Sequence, residues 1–363
     1  MGMKRYIDLL GMAARDGGPG FAQVAVTSDC NAACSFCNFS RERGLVRESA
    51  PYGRLTGAVD ILYGKGVRYL VFVGGDPLLY PGLDDIVAYT AGRGVEPLIC
   101  TNGWLLTPER VRRLHRAGLR SLIISVDAPD VAMHEKNRGL PGVAARIAAA
   151  NREAASLGMR SAASVTVSRL VGDYGMLPGF LRELGFADLT LSYPLTKLHS
   201  TYQSFSDSGL VDYENEELIE IFGRLKKLKK EFPVLNPALG MDEMVRFLKG
   251  EPARFPCLAG YKYFFLDWKL DAYRCHFMER PICPIEELPD AAPIRDGCAR
   301  CMIDCYRDPS VLQHFFVNLA DALSDLRRGR PVRALSRMLD KSAYLSLMSV
   351  MGEYAVASRA GRR

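Results

Sequence analysis

The sequence contains no apolar run near the roughly eighteen residues that a membrane-spanning helix needs. Its first residues carry one short apolar patch, without the apolar core and small-residue cleavage site of a secretory signal. Internal repeats and low-complexity segments are also absent. The charge excess is small, 47 basic against 41 acidic residues, so it permits an anionic substrate but gives no reason to expect a nucleic-acid partner. We therefore predict a cytoplasmic location.

The composition is that of an ordinary folded protein, with 48% hydrophobic and 24% charged residues. The 363 residues exceed one average domain and suffice for one α/β barrel with a smaller lobe. We predict five segments: an N-terminal extension at 1–20, a barrel at 21–200, a helical connector at 201–256, a cysteine-rich unit at 257–308 and a helical tail at 309–363.

The barrel segment alternates short apolar runs with helical patterns. The predicted strands are Phe21–Val26, Tyr69–Val73, Pro97–Cys100, Leu122–Val126, Ala162–Val167 and Leu189–Tyr193. One helix between them begins with Thr107 as cap and Pro108 in its first turn, and Gly118 ends it. This alternation predicts an α/β fold with a parallel sheet, a partial (β/α)6 barrel open on one side. Functional residues are then expected at the C-terminal ends of the strands.

Ten cysteines stand out in a cytoplasmic protein, because clustered cysteines there are more often metal ligands or catalytic groups than disulfides. Nine of them form two groups more than 200 residues apart, and Cys100 stands alone inside a predicted strand. The groups are Cys30, Cys34 and Cys37, and then Cys257, Cys275, Cys283, Cys298, Cys301 and Cys305. Two metal sites are the natural interpretation, with Cys100 a buried small hydrophobe.

The first group follows the first predicted strand with the spacing C-x3-C-x2-C, at Cys30, Cys34 and Cys37. Three thiolates from one short loop can bind three irons of a [4Fe–4S] cube and leave the fourth iron open to a small chelator. S-adenosylmethionine, through its amino and carboxylate groups, suits that position. A zinc site with one distant ligand is the alternative.

The loop C-N-A-A-C-S-F-C resembles the signature of the radical S-adenosylmethionine superfamily, including the aromatic Phe36 before the third cysteine. The resemblance covers about residues 21–200 and implies a partial TIM-like barrel. It also implies that the reduced cluster cleaves the cofactor to a 5′-deoxyadenosyl radical, which abstracts hydrogen from a substrate. An electron donor such as flavodoxin or ferredoxin would then be a partner.

Further motifs match the family in order, each after a predicted strand. Gly74-Gly75-Asp76 is similar to the family's G-G-E motif, which holds the cofactor's amino group, with aspartate in place of the usual glutamate. The resemblance implies that Ser125 and Arg138 reach the cofactor's carboxylate, which a guanidinium binds through two parallel hydrogen bonds. The full set of implied cofactor contacts is Phe36, Gly74, Gly75, Asp76, Asn102, Ser125, Arg138 and Leu195, the last beside adenine.

Taken singly, some of these residues have simpler interpretations. Gly74-Gly75-Asp76 without the cysteines would be only a turn. Asn102 and Ser125 are residue types that often serve in turns and caps. His134, in the sequence that precedes Arg138, is interpreted as structural.

In the second group, 17 residues separate Cys257 from Cys275, and the sequence between them predicts a hairpin that turns near Asp267–Asp271. Cys298 and Cys301 follow as C-x2-C. This segment resembles the Twitch half of the SPASM/Twitch auxiliary-cluster domains. The resemblance implies that Cys257, Cys275, Cys298 and Cys301 ligate a second, auxiliary [4Fe–4S] cluster. Cys305 is an alternative to Cys298 or Cys301, Cys283 is a spare or substrate-side thiol, and a zinc ribbon is the alternative to a cluster.

A cluster with four cysteine ligands has no open iron, so its expected role is electron transfer. The predicted reaction is therefore oxidation of a small polar metabolite, such as a sugar, an aminocyclitol or a nucleotide-linked compound. Because only residues 1–20 precede the barrel, we expect no fused peptide-recognition domain, which lowers the expectation of a peptide substrate. Alternatives are redox-neutral chemistry such as decarboxylation or rearrangement, modification of a peptide or lipid, and a non-enzymatic zinc or iron–sulfur regulator.

The tail carries a basic stretch, Arg327 to Arg337, before an apolar stretch, Tyr344–Met351. We interpret it as helices packed on the protein with a basic outer face. Contact with an anionic membrane surface is the alternative.

Overall fold

The computed structural model describes residues 11–37, 39–41, 46–194, 209–301 and 303–360. Within these ranges nine strands form one sheet: β1 (Gly20–Thr27), β2 (Val67–Gly74), β3 (Glu96–Thr101), β4 (Ser121–Val126), β5 (Arg160–Thr166), β6 (Asp188–Ser192), β7 (Tyr263–Leu266), β8 (Asp271–Tyr273) and β9 (Cys283–Pro284). Strands β1 to β6 lie in sequence order and are all parallel. The α/β prediction is confirmed, and each of the six predicted strands ends within two residues of the observed one.

The helices between and after the strands are α1 (Tyr52–Gly64), α2 (Leu83–Gly92), α3 (Pro108–Arg116), α4 (Val131–Arg138), α5 (Val143–Ser156), α6 (Leu177–Glu183), α7 (Asn215–Leu228), α8 (Ala238–Leu248), α9 (Asp304–Arg327), α10 (Pro331–Met338) and α11 (Lys341–Ala360). Helix α3 begins as predicted, because Thr107 Oγ1 accepts a hydrogen bond from the Arg110 N–H at 3.2 Å. Gly118 follows it with a φ of 108°, a conformation that favours glycine.

Strand periodicity separates the two faces of the sheet. Every second residue of β3 and β4 is fully buried, and the residues between them are half-buried. The strand register puts Gln23, Cys100 and Ser125 on the half-buried face, together with Ser164 and Thr190. This half-buried face is the interior of the partial barrel.

The predicted hairpin of the cysteine-rich unit is β7 paired with β8, and it does not stand apart from the barrel. Strand β7 runs parallel to β1, with Phe21 opposite Tyr263 and Gln23 opposite Phe265. All four residues of β7 are buried. Since β8 and β9 continue outward from β7, both cysteine groups are attached to the same sheet.

A side-chain contact reinforces this connection. Trp268, in the turn between β7 and β8, donates its Nε1–H to Glu48 Oε2 at 2.9 Å. Its ring meets the ring of Phe39 edge-on, with 5.8 Å between centroids. The hairpin therefore packs directly on the residues that follow the first cysteine group.

Within the described part of the chain, no helix is both long and apolar enough to cross a bilayer.

The shared sheet predicts a single unfolding transition for barrel and hairpin. The chain has two tryptophans, Trp104 after β3 and Trp268 in the hairpin, so Trp268→Phe and Trp104→Phe each leave one fluorescent reporter. Urea titrations of the two variants should give coincident midpoints by fluorescence and by circular dichroism. A hairpin reporter that unfolds at clearly lower urea than the barrel reporter would contradict the account.

Candidate functional site

The first cysteine group lies in the loop that leaves the C-terminal end of β1. Cys30 and Cys34 are buried and Cys37 is half-buried. The Ala32 N–H donates to Cys30 Sγ at 3.5 Å, and the Cys37 N–H donates to the Cys34 carbonyl at 3.3 Å. The loop thus turns tightly around its thiols.

The end of α4 holds this loop from one side. The Ala33 N–H donates to the Arg138 carbonyl at 2.8 Å. Gly139 ends the helix with a φ of 60°, and a β-carbon there would lie 3.1 Å from the Ala33 β-carbon. The Arg41 side chain donates to the carbonyls of Gly139 and Asn31, both at 3.3 Å.

The Gly74-Gly75 pair holds the loop from the other side. The Gly75 N–H donates to the Thr27 carbonyl at 2.9 Å, and the Asp76 N–H donates to the Asp29 carbonyl at 2.7 Å. A β-carbon on Gly75 would lie 1.9 Å from the Asp29 oxygen, and one on Gly74 would lie 2.2 Å from the Thr27 oxygen. Both glycines are therefore needed for the close approach of the chain to its own cysteine loop.

Asp76 is buried, and three donors of the chain occupy its carboxylate. The Thr101 hydroxyl donates to Oδ2 at 2.8 Å, the Asn102 N–H to the same atom at 2.8 Å, and the Leu78 N–H to Oδ1 at 2.9 Å. Burial raises the pKa of Asp76, and the hydrogen bonds from Asn102, Thr101 and Leu78 oppose that rise. Asp76 thus joins the ends of β2 and β3.

Asn102 continues this connection to the cysteine loop. Its Nδ2 donates to Asn31 Oδ1 at 2.7 Å, and its Oδ1 accepts from the Trp104 N–H at 2.9 Å. The predicted contacts Gly74, Gly75, Asp76 and Asn102 are therefore brought together at the cysteine loop, each bonded to it or packed on it.

Arg138 is buried beside the thiols and keeps one unused donor. Its Nη2 donates to Asp127 Oδ1 at 2.6 Å, while its Nε is buried without a hydrogen-bond partner among the described residues. Burial alone would lower the pKa of Arg138, but Asp127 and the thiols of Cys34 and Cys30 together raise it. An unsatisfied guanidinium nitrogen in this position calls for an anionic partner.

His134, interpreted from the sequence as structural, is buried beside the Asp127–Arg138 ion pair. Its Nδ1 accepts the Asp127 N–H at 3.3 Å, and burial lowers its pKa to about 4, so the ring is neutral.

The thiols themselves are suited to a cluster. Burial raises the pKa of Cys30 and Cys34 to about 12 and that of Cys37 to about 11, so they ionise only when a metal supplies the opposing charge. Among the described residues, no three His, Cys, Asp or Glu side chains converge closely enough to hold one metal ion. Three thiols on one short loop, with the buried Arg138 guanidinium beside them, are a donor set that fits three irons of a cube.

The three other predicted cofactor contacts are Phe36, Ser125 and Leu195. Phe36 is buried within the loop. Ser125 lies on the half-buried face of β4, opposite Ser164 in the register. Leu195 falls outside the described residues.

The second cysteine group is assembled from three segments. Cys257 precedes β7, Cys275 follows β8, and Cys298 and Cys301 precede α9. The Cys257 N–H donates to the Cys298 carbonyl at 2.7 Å. Burial raises the pKa of Cys275 to about 12, with contributions from Cys301 and Cys257, and it raises that of Cys301 to about 11, with contributions from Cys257 and Cys298. These four thiols therefore lie near one another.

Cys305 and Cys283 lie elsewhere. The Cys305 thiol lies near Gln23 of β1 and Cys100 of β3, and burial raises its pKa well above the usual value. Cys283 is half-buried in the short edge strand β9. Cys305 thus faces the barrel interior, at the first turn of α9.

The first turn of α9 also contains a carboxyl group that sequence reasoning missed. Asp304 Oδ1 accepts the Tyr193 N–H at 3.3 Å, just past the end of β6, and its Oδ2 lies 3.7 Å from Cys305 Sγ. Burial raises the pKa of Asp304 to about 7 and that of Asp308, one turn later, to about 8. The only sequence signal was an acidic residue next to the unassigned Cys305.

Known proteins share parts of this arrangement. Residues 24–177 match the profile of the Radical SAM superfamily. A stretch of 129 residues is 31% identical to the AdoMet-dependent heme synthase of Nitratidesulfovibrio vulgaris, covering 35% of each chain. A stretch of 127 residues is 35% identical to the probable GTP 3′,8-cyclase of Pyrobaculum aerophilum, covering 34% of this chain and 40% of that protein. The matches thus span about a third of the length of such curated relatives.

Two solved structures have a similar fold. Streptococcus suis SuiB bound to S-adenosylmethionine gives a TM-score of 0.55 at 14% identity, over 75% of this chain and 64% of SuiB. Native anSMEcpe with bound AdoMet gives 0.58 at 13% identity, over 84% of this chain and all of that one. Likeness at such identity concerns the fold alone.

The glycine geometry predicts the effect of one added methyl group. Gly75→Ala should lower the free energy of unfolding by at least about 1–3 kcal/mol, because the backbone of the cysteine loop must move. Gly57→Ala in α1 is the matched control, since a β-carbon there meets nothing within 4 Å, and it should stabilise by about 0.5–1 kcal/mol. Urea denaturation measures both, and equal stability of the two variants would refute the close approach.

The buried carboxyls predict a pH dependence of stability. Because the folded pKa of Asp304 and of Asp308 is raised to about 7 and about 8, the folded state holds protons that the unfolded state releases at lower pH. The stability that protonated Asp304 and Asp308 contribute at low pH is therefore lost as the pH rises through these pKa values. Asp304→Asn should flatten the fall in urea midpoint between about pH 4 and about pH 8, whereas Asp290→Asn, at an exposed position, should not. An unchanged slope in Asp304→Asn contradicts the assignment.

Proposed function

We propose that the protein is a radical S-adenosylmethionine enzyme acting on a small polar biosynthetic metabolite, because residues 24–177 match the profile of the Radical SAM superfamily. The proposed reaction removes hydrogen from the substrate and oxidises it, with an auxiliary cluster as electron acceptor. A sugar, an aminocyclitol or a nucleotide-linked compound would suit it. The observation that carries the proposal is the three-cysteine loop at the end of β1, with the unpartnered Arg138 Nε beside it.

In this proposal Cys30, Cys34 and Cys37 hold the catalytic [4Fe–4S] cluster. When bound, the cluster supplies the electron that splits S-adenosylmethionine and so provides a 5′-deoxyadenosyl radical. Arg138 would bind the cofactor's carboxylate through its free donor, with Ser125 nearby on the inner face of β4. Asp76 would act as a positioning residue, because its carboxylate already holds the loops after β2 and β3 together.

The barrel interior supports a polar substrate. Half-buried hydroxyl side chains line its inner face at the C-terminal ends of β4, β5 and β6: Ser125, Ser164, Thr166, Thr190 and Ser192. Such hydroxyls both donate and accept hydrogen bonds, so they can bind a substrate rich in hydroxyl or amino groups. Cys305 lies near Gln23 and Cys100, which are on the same half-buried face of the sheet.

Asp304 would take the proton in the oxidation. Loss of a carbon-bound hydrogen from an alcohol leaves a carbon radical that still carries its hydroxyl group. Formation of the carbonyl then releases one proton and one electron. A carboxyl with a pKa of about 7 can accept the proton at neutral pH, and Cys301, proposed as an auxiliary-cluster ligand, is three residues away along the chain.

The auxiliary cluster is assigned to Cys257, Cys275, Cys298 and Cys301, because their thiols lie together while Cys305 and Cys283 lie elsewhere. It would accept the substrate's electron. A flavodoxin or ferredoxin is the proposed external donor for cofactor cleavage.

Removal of the first three thiols tests this function. In the variant with Cys30→Ala, Cys34→Ala and Cys37→Ala, we expect iron after anaerobic reconstitution to fall by about four per chain from about eight, because one cube is lost. Formation of 5′-deoxyadenosine from S-adenosylmethionine and dithionite should disappear. Cys283→Ala is the control and should keep both. Cofactor cleavage that survives in the triple variant would overturn the proposal.

A further inference from the structure

The C-terminal helices carry an unusual share of exposed apolar surface. Of the sixteen large hydrophobic side chains that are exposed in the described part of the chain, nine lie in the stretch 326–351. They are Leu326, Val332, Leu335, Met338, Leu339, Tyr344, Leu345, Met348 and Met351, and we call them the apolar face. A concentration of this kind marks an interaction surface, whereas scattered exposed hydrophobics need no explanation.

Helix α10 presents part of this face along one side. Val332, Leu335 and Met338 are 81%, 58% and 52% exposed and follow one another at intervals of three residues. Ala334, on the other side of the helix, is 1% exposed. Helix α10 therefore packs on the protein through the small Ala334, and its large apolar residues face outward. In a helix that only contributes to the core, the large apolar residues would be buried instead.

Helix α11 repeats the pattern. Tyr344, Met348 and Met351 are exposed at spacings of four and three residues, so they share one side. The opposite side is fixed to α9, where the buried Ser346 Oγ–H donates to the Val311 carbonyl at 2.6 Å. Since α9 holds the inner side of α11, the outer side is not needed to attach the helix.

The charges around the apolar face are mostly of one sign. Residues 326–351 contain six basic residues and one acidic residue, Asp340. Arg327, Arg328, Arg330 and Arg333 are exposed, and none of them has an ion pair with another described residue. Arg337 is paired with Asp321 and Asp325, at 3.2 and 3.0 Å.

The exposed apolar side chains and the unpaired arginines together indicate which kind of partner fits this surface. Apolar side chains flanked by unpaired arginines match a surface that is apolar inside and negatively charged outside, which is an anionic lipid bilayer. A second copy of the chain would bring two positive surfaces together, which is unfavourable. Nucleic acid would satisfy the arginines but leave the apolar side chains in water.

We propose that α10 and α11 form a peripheral docking surface for anionic membranes, with the apolar face inserted at the headgroup level and the arginines on lipid phosphates. The docking is independent of the chemistry in the barrel.

Vesicle flotation of the full-length protein tests this proposal. Vesicles of phosphatidylcholine with phosphatidylglycerol should bind the protein, vesicles of phosphatidylcholine alone should bind it at least about tenfold more weakly, and high salt should weaken the binding. The variants Val332→Ser with Met348→Ser, and Arg330→Glu with Arg333→Glu, should each reduce binding by about tenfold or more.

Met176→Ser with Leu235→Ser is the matched control, because those side chains are also exposed but lie outside the apolar face, and it should bind like the unaltered protein. Unchanged flotation of both test variants, or no flotation of the unaltered protein, would overturn the proposal. Sedimentation that shows a dimer, lost in Val332→Ser with Met348→Ser, would also overturn it and assign the face to a second copy of the chain.

Discussion

The proposed chemistry depends on the backbone hydrogen bonds that hold the cysteine loop in place. The amides of Gly75 and Asp76 donate to the loop from the end of β2, and the loop's own Ala33 amide donates to the end of α4. These contacts fix three thiols where a parallel sheet places its functional residues, at the C-terminal ends of the strands. They also bring the Arg138 guanidinium against the thiols, because Arg138 contributes both a carbonyl to the loop and a side chain to the site.

The same sheet organises the second group of cysteines. Since β7 pairs with β1, Cys257 and Cys275 are delivered by a hairpin that continues the barrel. Helix α9 follows Cys301, and its first turn carries the carboxyl of Asp304, which accepts the Tyr193 N–H past the end of β6, and the thiol of Cys305, which lies near Gln23 and Cys100. In the proposed oxidation Asp304 is the proton acceptor, three residues after Cys301 along the chain.

Local patterns in the sequence predicted the local structure well. The strands followed from alternating or continuous apolar runs, and the α3 cap from Thr107 and Pro108, because those signals act over a few residues. The pairing of β7 with β1 joins residues more than 240 positions apart, and no local pattern encodes it. The spacing of Cys305 made it a possible cluster ligand, and nothing in the sequence indicated that its thiol lies near Gln23 and Cys100, because those residues are more than 200 positions away.

Gly74 and Gly75 show a further limit of prediction from the sequence. Its need for close backbone approach was predictable, but the partner is the chain's own loop, at Thr27 and Asp29. Likewise, Asp76 has the right chemistry for an ammonium group, yet Leu78, Thr101 and Asn102 already donate to it. Residue type predicts what a side chain can bind, whereas the competing donors within bonding distance appear only in three dimensions.

The proposed iron–sulfur cube has one iron free for S-adenosylmethionine. Electron paramagnetic resonance of the dithionite-reduced protein, recorded with and without the cofactor, shows whether a cluster binds it. S-adenosylmethionine should change the signal of one of the two clusters and leave the other unaltered. A spectrum that the cofactor does not change would contradict the proposed open iron.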